Sequence, residues 1–264
     1  MNASGNVILI TGGGTGIGRG LAEAFQKDGN EVIIAGRRQS VLEDTVKANP
    51  GMHFVTLDVE DAADVQRFAA EVKERFPRLN VLINNAGIMK TEDLTAGEKD
   101  LATAEQTVAI NLLGTFRVTA ALMPLLLQQG QATIMTVTSG LAFMPIHPNP
   151  SYCATKAAIH SWSQSLRYQL RDKGVEVLEI VPPYVQTELT GPFQAADPNA
   201  MPLAEYISET MELLKNPPAS GEILVERVRG RRFAEQSGTY DQLFAEWNDY
   251  AAKRLIERAK AGQE

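Results

Sequence analysis

A glycine-rich stretch near the start of the chain limits most strongly what the sequence can fold into. The residues TGGGTGIG, at positions 11–18, directly follow the apolar run VILI and begin a segment with helical periodicity. Glycines allow positive φ angles and close approach to the backbone, and a helix N-terminus offers free N–H groups and a partial positive charge. A strand, a glycine loop and a helix in this order predict a phosphate-binding turn in an α/β protein. A glycine-rich turn with only a structural role is the alternative.

Short apolar segments rich in Val and Ile alternate with longer amphipathic segments over most of the chain. We predict strands at residues 7–11, 31–36, 53–58, 81–84, 132–139 and 175–181. We predict helices at residues 16–28, 40–48, 62–76, 101–128 and 151–172. Parallel strands are joined by crossover helices, which bury both faces of the sheet. The alternation therefore predicts a Rossmann-type α/β fold, a doubly wound, mostly parallel sheet with helices on both faces, in one domain spanning residues 1–264.

The chain after Pro182 has a different pattern. Prolines interrupt it at positions 183, 192, 198, 202, 217 and 218, and a long amphipathic helix is predicted near residues 240–259. The segment GEILVERVRGRRFAEQSGTYDQLF, which begins at Gly221, is basic and favours helix over strand. We therefore expect short helices and loops here in place of further strand–helix units.

Charge and composition argue against several classes of function. The net charge is −7 over 264 residues, which disfavours a broad nucleic-acid-binding surface. The densest apolar run, at residues 120–127, contains Pro124 and is far shorter than the ~20 residues of a membrane span. A single cysteine, Cys153, excludes an internal disulfide framework and cannot supply a structural zinc site alone. We therefore expect a cytoplasmic protein that binds no nucleic acid, no membrane and no metal.

Three side chains with proton-transfer chemistry follow the fifth predicted strand. Tyr152 and Lys156 are four residues apart in a predicted helix, so they project from one face with Cβ atoms about 5–6 Å apart. A nearby ammonium favours the tyrosinate and lowers the pKa of the phenol from its usual value of about 10. Ser139 lies at the end of the preceding strand. The three groups indicate acid–base chemistry, whereas the alternative is a Tyr and a Lys that share a helix face by chance.

Several motifs, taken in order, resemble the short-chain dehydrogenase/reductase family. They are TGGGTGIG at 11–18, Asp58-Val59, NNAG at 84–87, Asn111, Ser139, Tyr152-x-x-x-Lys156 and PPYVQT at 182–187. The segments TSGLAF, SYCATKAA and LRYQLRD are similar to one branch of that family, the oxidoreductases encoded beside the teichoic-acid D-alanylation genes. The resemblance implies the fold predicted above and an NAD(P)-dependent oxidoreductase that acts on a small carbonyl compound or alcohol.

The resemblance also implies catalytic roles for Asn111, Ser139, Tyr152 and Lys156. Tyr152 exchanges a proton with the substrate oxygen, and Ser139 hydrogen-bonds the same oxygen and positions it. Lys156 lowers the phenol pKa and binds the nicotinamide ribose, while Asn111 holds a water that links Lys156 to solvent. The alternative function is a non-catalytic NADP(H)-binding sensor or scaffold on the same fold, which has no need of all four residues.

A second set of residues is implied to bind the dinucleotide. Asp58 accepts a hydrogen bond from the adenine amino group, or alternatively caps the helix that begins near Ala62. Thr187 contacts the nicotinamide carboxamide, and Pro183 stands where the family usually has glycine, which removes an N–H. Residues 85–87 either pass under the adenosine ribose or only pack the sheet centre. The whole set is Gly12, Thr15, Gly16, Ile17, Gly18, Arg37, Arg38, Asp58, Val59, Asn85, Ala86, Gly87, Tyr152, Lys156, Val185 and Thr187.

The end of the second predicted strand indicates which cofactor is preferred. NAD-binding sites place a carboxylate there, which accepts hydrogen bonds from the adenosine ribose and repels a 2′-phosphate. This chain has Gly36-Arg37-Arg38 instead. Two guanidiniums can pair with a 2′-phosphate through fork-shaped hydrogen bonds. We therefore predict NADP(H) as the preferred cofactor and NAD(H) as the second choice, the alternative being that both arginines only begin a solvated helix.

The remaining predictions concern assembly and the C-terminal third. Family members commonly pair through two long helices, here residues 101–128 and 151–172, so the resemblance implies a homodimer more readily than a tetramer. Residues 188–264 are expected to form a substrate-binding loop and a helical C-terminal extension. Cys153 is interpreted as a small buried helix residue, since no His lies at a suggestive spacing. His147 either contacts the substrate or faces solvent.

Overall fold

A seven-stranded parallel sheet forms the centre of the molecule in the computed structural model, which describes residues 3–260. The strands are β1 Val7–Thr11, β2 Glu31–Gly36, β3 His53–Thr56, β4 Val81–Asn84, β5 Ala132–Val137, β6 Val175–Val181 and β7 Glu222–Leu224. They lie in the order β3-β2-β1-β4-β5-β6-β7, and every neighbouring pair is parallel. The predicted Rossmann-type sheet is therefore confirmed.

Helices connect successive strands and cover the sheet. They are α1 Gly16–Lys27, α2 Gln39–Ala48, α3 Ala62–Arg75, α4 Leu101–Thr107, α5 Gly114–Gln128, α6 Pro150–Leu170, α7 Pro192–Ala195, α8 Leu203–Lys215, α9 Glu226–Arg232 and α10 Tyr240–Lys260. Short 3-10 helices lie at Leu94–Asp100 and Gly140–Ala142. α6 begins at Pro150, whose missing N–H costs nothing at the first position of a helix. This places Tyr152 in its first turn.

Two apolar cores lie on opposite faces of the sheet. Leu9 belongs to the core under α3, α5 and α6, whereas its neighbours Ile8 and Ile10 belong to the core under α1, α2 and α8. Successive side chains of a strand point to opposite faces, so β1 is apolar at every position because both faces are covered. This burial is what the continuous apolar runs of the sequence indicated.

The strand order reverses direction at β1. β2 and β3 extend the sheet to one side of β1, while β4 and the later strands extend it to the other. The loops that follow β1 and β4 therefore diverge and leave a crevice at the carboxyl ends of the strands, where ligands of open α/β sheets bind. The glycine-rich stretch lies at this edge.

The expectation for the segment after Gly221 was partly wrong. Glu222–Leu224 forms β7 and pairs with β6, although α9 follows directly as a basic helix. A buried glutamate disfavours a strand at the sequence level, but here Arg232 donates to both carboxylate oxygens of Glu222, at 2.6 and 2.9 Å. The compensating partner comes from the next helix, so the local pattern does not reveal it.

The long apolar stretch Leu101–Gln128 was predicted as one continuous helix. It consists of α4, a π-helical segment at Val108–Leu113 and α5. By length and composition alone it could cross a membrane, but it packs against α3 and α6, and half of its most apolar window is buried. The stretch is therefore a core helix of this fold.

Candidate active site

A cavity of about 670 Å³ lies at the carboxyl ends of the strands. Its wall contains most of the residues predicted from the sequence to bind cofactor or substrate. They are Gly12, Thr15, Gly16, Ile17, Arg37, Arg38, Val59, Asn85, Ala86, Gly87, Ser139, Tyr152, Lys156, Val185 and Thr187. Gly18, Asp58 and Asn111 lie outside this wall, so any role they have is indirect or depends on a ligand that extends beyond the cavity.

The glycine loop is tied to the end of β4. The Thr11 hydroxyl accepts hydrogen bonds from the backbone N–H groups of Asn85 and Ala86, at 3.0 and 3.1 Å. The Asn85 side chain donates in return to the carbonyl oxygens of Thr11 and Gly12, at 3.0 and 3.2 Å. Asn85 therefore fixes the loop from behind, which agrees with the structural alternative for this segment without excluding contact with a ligand.

Gly18→Ala is expected to destabilise the fold by about 1–3 kcal/mol, as overpacking does elsewhere. A Cβ on Gly18 would lie 2.3 Å from the Gly12 carbonyl oxygen and 2.5 Å from Asn85 Nδ2. Denaturant unfolding measures the loss. Gly230→Ala is the matched control, because a Cβ at that helical position meets nothing within 4 Å. Equal stability of the two variants would contradict this account of the loop.

Ser139, Tyr152 and Lys156 come together at the end of β5. Ser139 follows that strand and hydrogen-bonds the Tyr152 hydroxyl. The Lys156 Nζ lies 5.4 Å from the centre of the Tyr152 ring and donates to the Val137 carbonyl at 2.7 Å. All three side chains are buried. The predicted one-face arrangement on α6 is present.

The expected depression of the phenol pKa is not found in the protein alone. Burial raises the pKa of Tyr152 above its ordinary value, and the Ser139 hydrogen bond offsets only part of this effect. Burial also lowers the pKa of Lys156 to about 8, against an opposing contribution from Glu179. Desolvation therefore outweighs the charge effect that spacing alone suggested, and Tyr152 is held as a protonated donor.

Asn111 lies in the π-helical segment, and its side chain holds the backbone of Ile88 in the loop that follows β4. Its side-chain oxygen accepts from the Ile88 N–H at 2.8 Å, and its amide nitrogen donates to the Ile88 carbonyl at 2.9 Å. A Cβ built on Gly87 would lie 3.2 Å from that side-chain oxygen and 3.8 Å from Lys156 Nζ. Asn111 thus stands behind Gly87, close to the lysine.

Asp58 does not cap α3. Asp61 is the N-cap residue, and its carboxylate accepts from the Ala63 N–H at 2.8 Å. Asp58 instead accepts from the Glu60 N–H at 3.0 Å, in the turn between the lining residues Leu57 and Val59. The helix-cap alternative for Asp58 is therefore wrong.

Arg37 and Arg38 stand at the mouth of the cavity after β2. Both are exposed, and neither guanidinium forms an ion pair or side-chain hydrogen bond with any residue between 3 and 260. A Cβ at the preceding Gly36 would meet only Leu42 Cδ2, at an ordinary 3.7 Å. Two guanidinium groups that have no counter-ion among residues 3–260 therefore lie at this edge of the cavity, and a Cβ at residue 36 would fit there without a clash.

The loop after β6 is anchored by a residue that sequence reasoning missed. Gln194 is buried in α7, and its amide nitrogen donates to the Val185 carbonyl at 2.9 Å and the Thr187 hydroxyl at 3.1 Å. Its oxygen accepts from the Thr190 N–H and hydroxyl. A glutamine in a proline-rich segment carries no local signal of this role. Pro183 lines the cavity with its neighbour Pro182.

The C-terminal helix α10 connects the loop before α6 to the segment that follows α7. Asn248 accepts from the His147 N–H at 2.7 Å and donates to the Pro145 carbonyl at 3.3 Å. Arg254 pairs with the buried Asp197, which also accepts from the Tyr184 hydroxyl at 3.2 Å. His147 is exposed, as the solvent-facing alternative predicted, and it also contacts α10 through Asn248.

Cys153 is buried beside Tyr152, and its thiol lies 3.8 Å from the Ile146 carbonyl oxygen. Burial raises the pKa of the Cys153 thiol to about 11. A thiol with a raised pKa is a poor nucleophile at neutral pH. The geometry agrees with a packing role.

A protein-family model described as short chain dehydrogenase matches residues 6–198. The chain belongs to the short-chain dehydrogenase family. It is also 39% identical over 251 residues to the uncharacterized oxidoreductase DltE of Bacillus subtilis (strain 168), with 94% of this chain and 98% of that protein covered. The predicted family and its DltE-like branch are therefore confirmed, and the chain is a dehydrogenase/reductase.

Solved structures of short-chain dehydrogenases share this fold. One from Burkholderia cenocepacia J2315, in complex with NADP, has a TM-score of 0.76 at 24% identity and covers 98% of each chain. One from Burkholderia phymatum, in complex with NAD, has a TM-score of 0.78 at 22% identity and covers 90% of this chain and 96% of that one. The fold thus accommodates either nicotinamide cofactor.

The cavity of this short-chain dehydrogenase has the features that a dinucleotide requires. Gly12 and Gly16 have positive φ angles, and a Cβ on Gly12 would lie 2.9 Å from Asn85 Nδ2. The start of α1 points its free N–H groups at this loop. The wall extends from Arg37 and Arg38 at one end to Ser139, Tyr152 and Lys156 at the other.

Proposed function

We propose that this enzyme transfers hydride between NADP(H) and the carbonyl or secondary alcohol of a small organic substrate, with Tyr152 as the general acid or base. The observation that carries the proposal is the buried contact of Ser139 with the Tyr152 hydroxyl, beside Lys156, in the wall of the cavity that begins at the glycine loop. A hydroxyl pair of this kind can hold one substrate oxygen by two hydrogen bonds.

The proposed roles follow from the protonation states. Tyr152, protonated in its buried setting, donates its proton to the carbonyl oxygen during reduction and becomes tyrosinate. In the reverse direction the tyrosinate accepts the proton from the alcohol, after the phenol has lost its own proton to the relay through Lys156. Ser139 positions that oxygen. Lys156 supplies positive charge beside the phenol, and Asn111, which stands behind Gly87, is proposed to hold the water that connects Lys156 to solvent. The bound nicotinamide supplies the hydride chemistry.

The proposed cofactor contacts divide along the cavity. Gly12, Thr15, Gly16 and Ile17 hold the pyrophosphate at the start of α1. Gly18 contributes indirectly, because it leaves room for the Gly12 carbonyl behind the loop. Arg37 and Arg38 pair with the 2′-phosphate, which favours NADP(H) over NAD(H). The remaining contacts fall to Asp58, Val59, Asn85, Ala86 and Gly87 on the adenosine side and to Tyr152, Lys156, Val185 and Thr187 on the nicotinamide side.

We also propose a cytoplasmic homodimer that pairs through residues 101–128 and 151–172. Five large apolar side chains on these segments are exposed: Leu101, Val108, Leu113, Leu127 and Tyr168. Burying them against a second copy removes apolar surface from water, which favours association. Light scattering that gives a monomer would count against this pairing, whereas a tetramer would show that the C-terminal tail supplies a further contact between copies.

Residues 188–264 are proposed to shape the substrate end. α10 joins the loop before Tyr152 to the loop after Thr187 through Asn248 and Arg254. Arg254→Ala removes the ion pair with Asp197. We expect this variant to have a higher KM for the carbonyl substrate and an unchanged dissociation constant for NADPH. A change in the NADPH constant alone would argue against this division.

Two measurements test the proposed function together. NADPH binding is followed by its fluorescence, and turnover is followed by NADPH consumption across a panel of ketones, aldehydes and secondary alcohols. We expect binding, and turnover of at least one class of carbonyl compound. Binding without turnover of any compound would instead favour the NADP(H) sensor that the fold also permits.

A further inference from the structure

One face of α6 carries a line of polar side chains that leads away from the reacting groups. Tyr152, Lys156, His160 and Gln164 are each four residues apart, so they stack along the helix. The line runs from the buried tyrosine and lysine to His160, whose side chain is 17% exposed, and to the exposed Gln164. His160 Nε2 lies 3.0 Å from the Gln164 amide. Only the first two members are used by the proposed mechanism.

The facing strand β6 contributes a fully buried carboxylate, Glu179. Its Oε1 accepts from the Thr138 hydroxyl at 2.7 Å, and its Oε2 accepts from His160 Nδ1, also at 2.7 Å. A buried charge without partners is costly, so both of these donors are needed to hold Glu179 inside the protein. The carboxylate is therefore fixed in one orientation between β5 and α6.

A second carboxylate lies next to this pair. The ligand atoms of His160, Glu179 and Glu222 are within 4.8 Å of one another, a spacing that a metal site could use. Both Glu222 oxygens, however, accept from Arg232, and both Glu179 oxygens have donors. We therefore interpret the cluster as a hydrogen-bonded charge network.

The network touches the active site at two points. Thr138, which donates to Glu179, lies between Val137, whose carbonyl accepts from Lys156, and Ser139. Glu179 is also the carboxylate whose charge opposes the effect of burial on the lysine. Glu179 therefore affects both the position of the end of β5, through Thr138, and the protonation of Lys156.

We propose that Glu179, held in place by His160, is a positioning residue of this active site. It fixes the strand end from Val137 to Ser139 and supplies the negative charge that keeps the buried Lys156 in its ammonium form. The consequence for catalysis rests on the proposed function, whereas the effect on Lys156 does not.

Glu179→Gln tests the proposal through the titration of Lys156. Tyr152, whose ring centre lies 5.4 Å from Lys156 Nζ, and His160, one turn further along, are its ionisable neighbours on α6. Glu179 acts on the lysine from β6, and Glu222 and Arg232 adjoin the Glu179–His160 pair. Removing the carboxylate disfavours the ammonium, so the pKa of Lys156, about 8 in the wild type, should fall by on the order of one pH unit. The Cε resonance of 13C-labelled lysine reports this, and its loss in Lys156→Met assigns it.

Glu222→Gln is the matched control. It removes a carboxylate from the same cluster, but its charge is held by Arg232 and is not among those acting on Lys156. The Lys156 titration should remain at its wild-type position even if stability falls. A shift in Glu222→Gln as large as that in Glu179→Gln would mean that any charge in the cluster suffices, which would overturn the assignment to Glu179.

His160 provides a second test that preserves the glutamate. His160→Leu removes the donor to Glu179 Oε2 and disfavours the charged form of the carboxylate, so the Lys156 titration should again move to lower pH. His160→Asn can place an amide near the same oxygen and should restore most of the wild-type titration. If the Lys156 titration in His160→Asn stayed as far from the wild-type position as it is in His160→Leu, the positioning role would be contradicted.

Activity separates this proposal from the proposed function. In a competent enzyme, the basic limb of the kcat/KM profile should move to lower pH in Glu179→Gln by the same amount as the lysine titration. If no carbonyl compound is turned over but the Lys156 resonance shifts, the proposed function fails and the electrostatic role of Glu179 stands. An unchanged Lys156 titration in Glu179→Gln overturns the proposal whatever the activity.

Discussion

Tyr152→Phe is expected to lower kcat for carbonyl reduction by about 10²–10⁴-fold, the contribution typical of a positioned general acid. The phenol is buried, protonated and hydrogen-bonded to Ser139, so its hydroxyl is the group placed to donate to a substrate oxygen. Phenylalanine preserves the ring and its packing but has no proton to give. NADPH affinity, measured by fluorescence titration, should stay near the wild-type value because the glycine loop and the arginines are untouched.

Tyr206→Phe is the matched control for this loss. Tyr206 is also fully buried, but it lies on α8 in the core shared with α1 and does not line the cavity. Removing its hydroxyl should leave kcat essentially unchanged. Near-normal turnover in Tyr152→Phe with a true substrate would assign proton transfer to another group and end the proposed mechanism.

Gly36→Asp combined with Arg37→Ala should shift cofactor preference toward NAD(H). Charged hydrogen bonds are worth about 1.5–3 kcal/mol, and each 1.4 kcal/mol is tenfold in affinity, so losing one guanidinium and adding a repelling carboxylate should change the NADP/NAD ratio of kcat/KM by about 10²-fold. The aspartate fits because a Cβ at residue 36 makes only an ordinary 3.7 Å contact with Leu42. The new carboxylate can also accept from the ribose hydroxyls of NAD.

Two further variants show whether the shift is specific to this site. Arg38→Ala alone should reduce NADPH affinity without raising NADH affinity, because it adds no acceptor for the ribose. Arg78→Ala removes an arginine whose side chain is 82% exposed and whose partner is Glu31, at the opposite end of β2, and should change neither constant. An unchanged NADP/NAD ratio in the double variant would remove the basis for NADP(H) preference.

The sequence predicts the order of strands and helices well because each unit carries its own signals. β1 to β6 begin at the predicted residues, since a buried parallel strand is apolar throughout and is bounded by glycine, asparagine or proline. The strands that begin at residues 53 and 132 each end two residues earlier than predicted, at Thr56 and Val137. Strand ends depend on pairing with neighbours, which local pattern describes poorly.

The local sequence pattern does not reveal interactions between residues that are far apart along the chain. β7 contains a buried glutamate whose partner, Arg232, lies ten residues away in a helix. Gln194 anchors the loop at Thr187 although nothing in its neighbourhood marks it. The rise in the pKa of Tyr152 has the same origin, because desolvation depends on what surrounds the side chain and not on its spacing from Lys156.

The sequence by itself determined the doubly wound fold, the glycine loop at the start of α1, the pair of arginines after β2 and the shared helix face of Tyr152 and Lys156. Each of these depends on periodicity or on spacings of a few residues, which backbone geometry converts directly into position. Only the tertiary structure decided that Gly18 must leave room for the Gly12 carbonyl and that Glu179 meets both Thr138 and His160. The free energy of a buried charge or a close contact depends on partners that only the folded chain brings together.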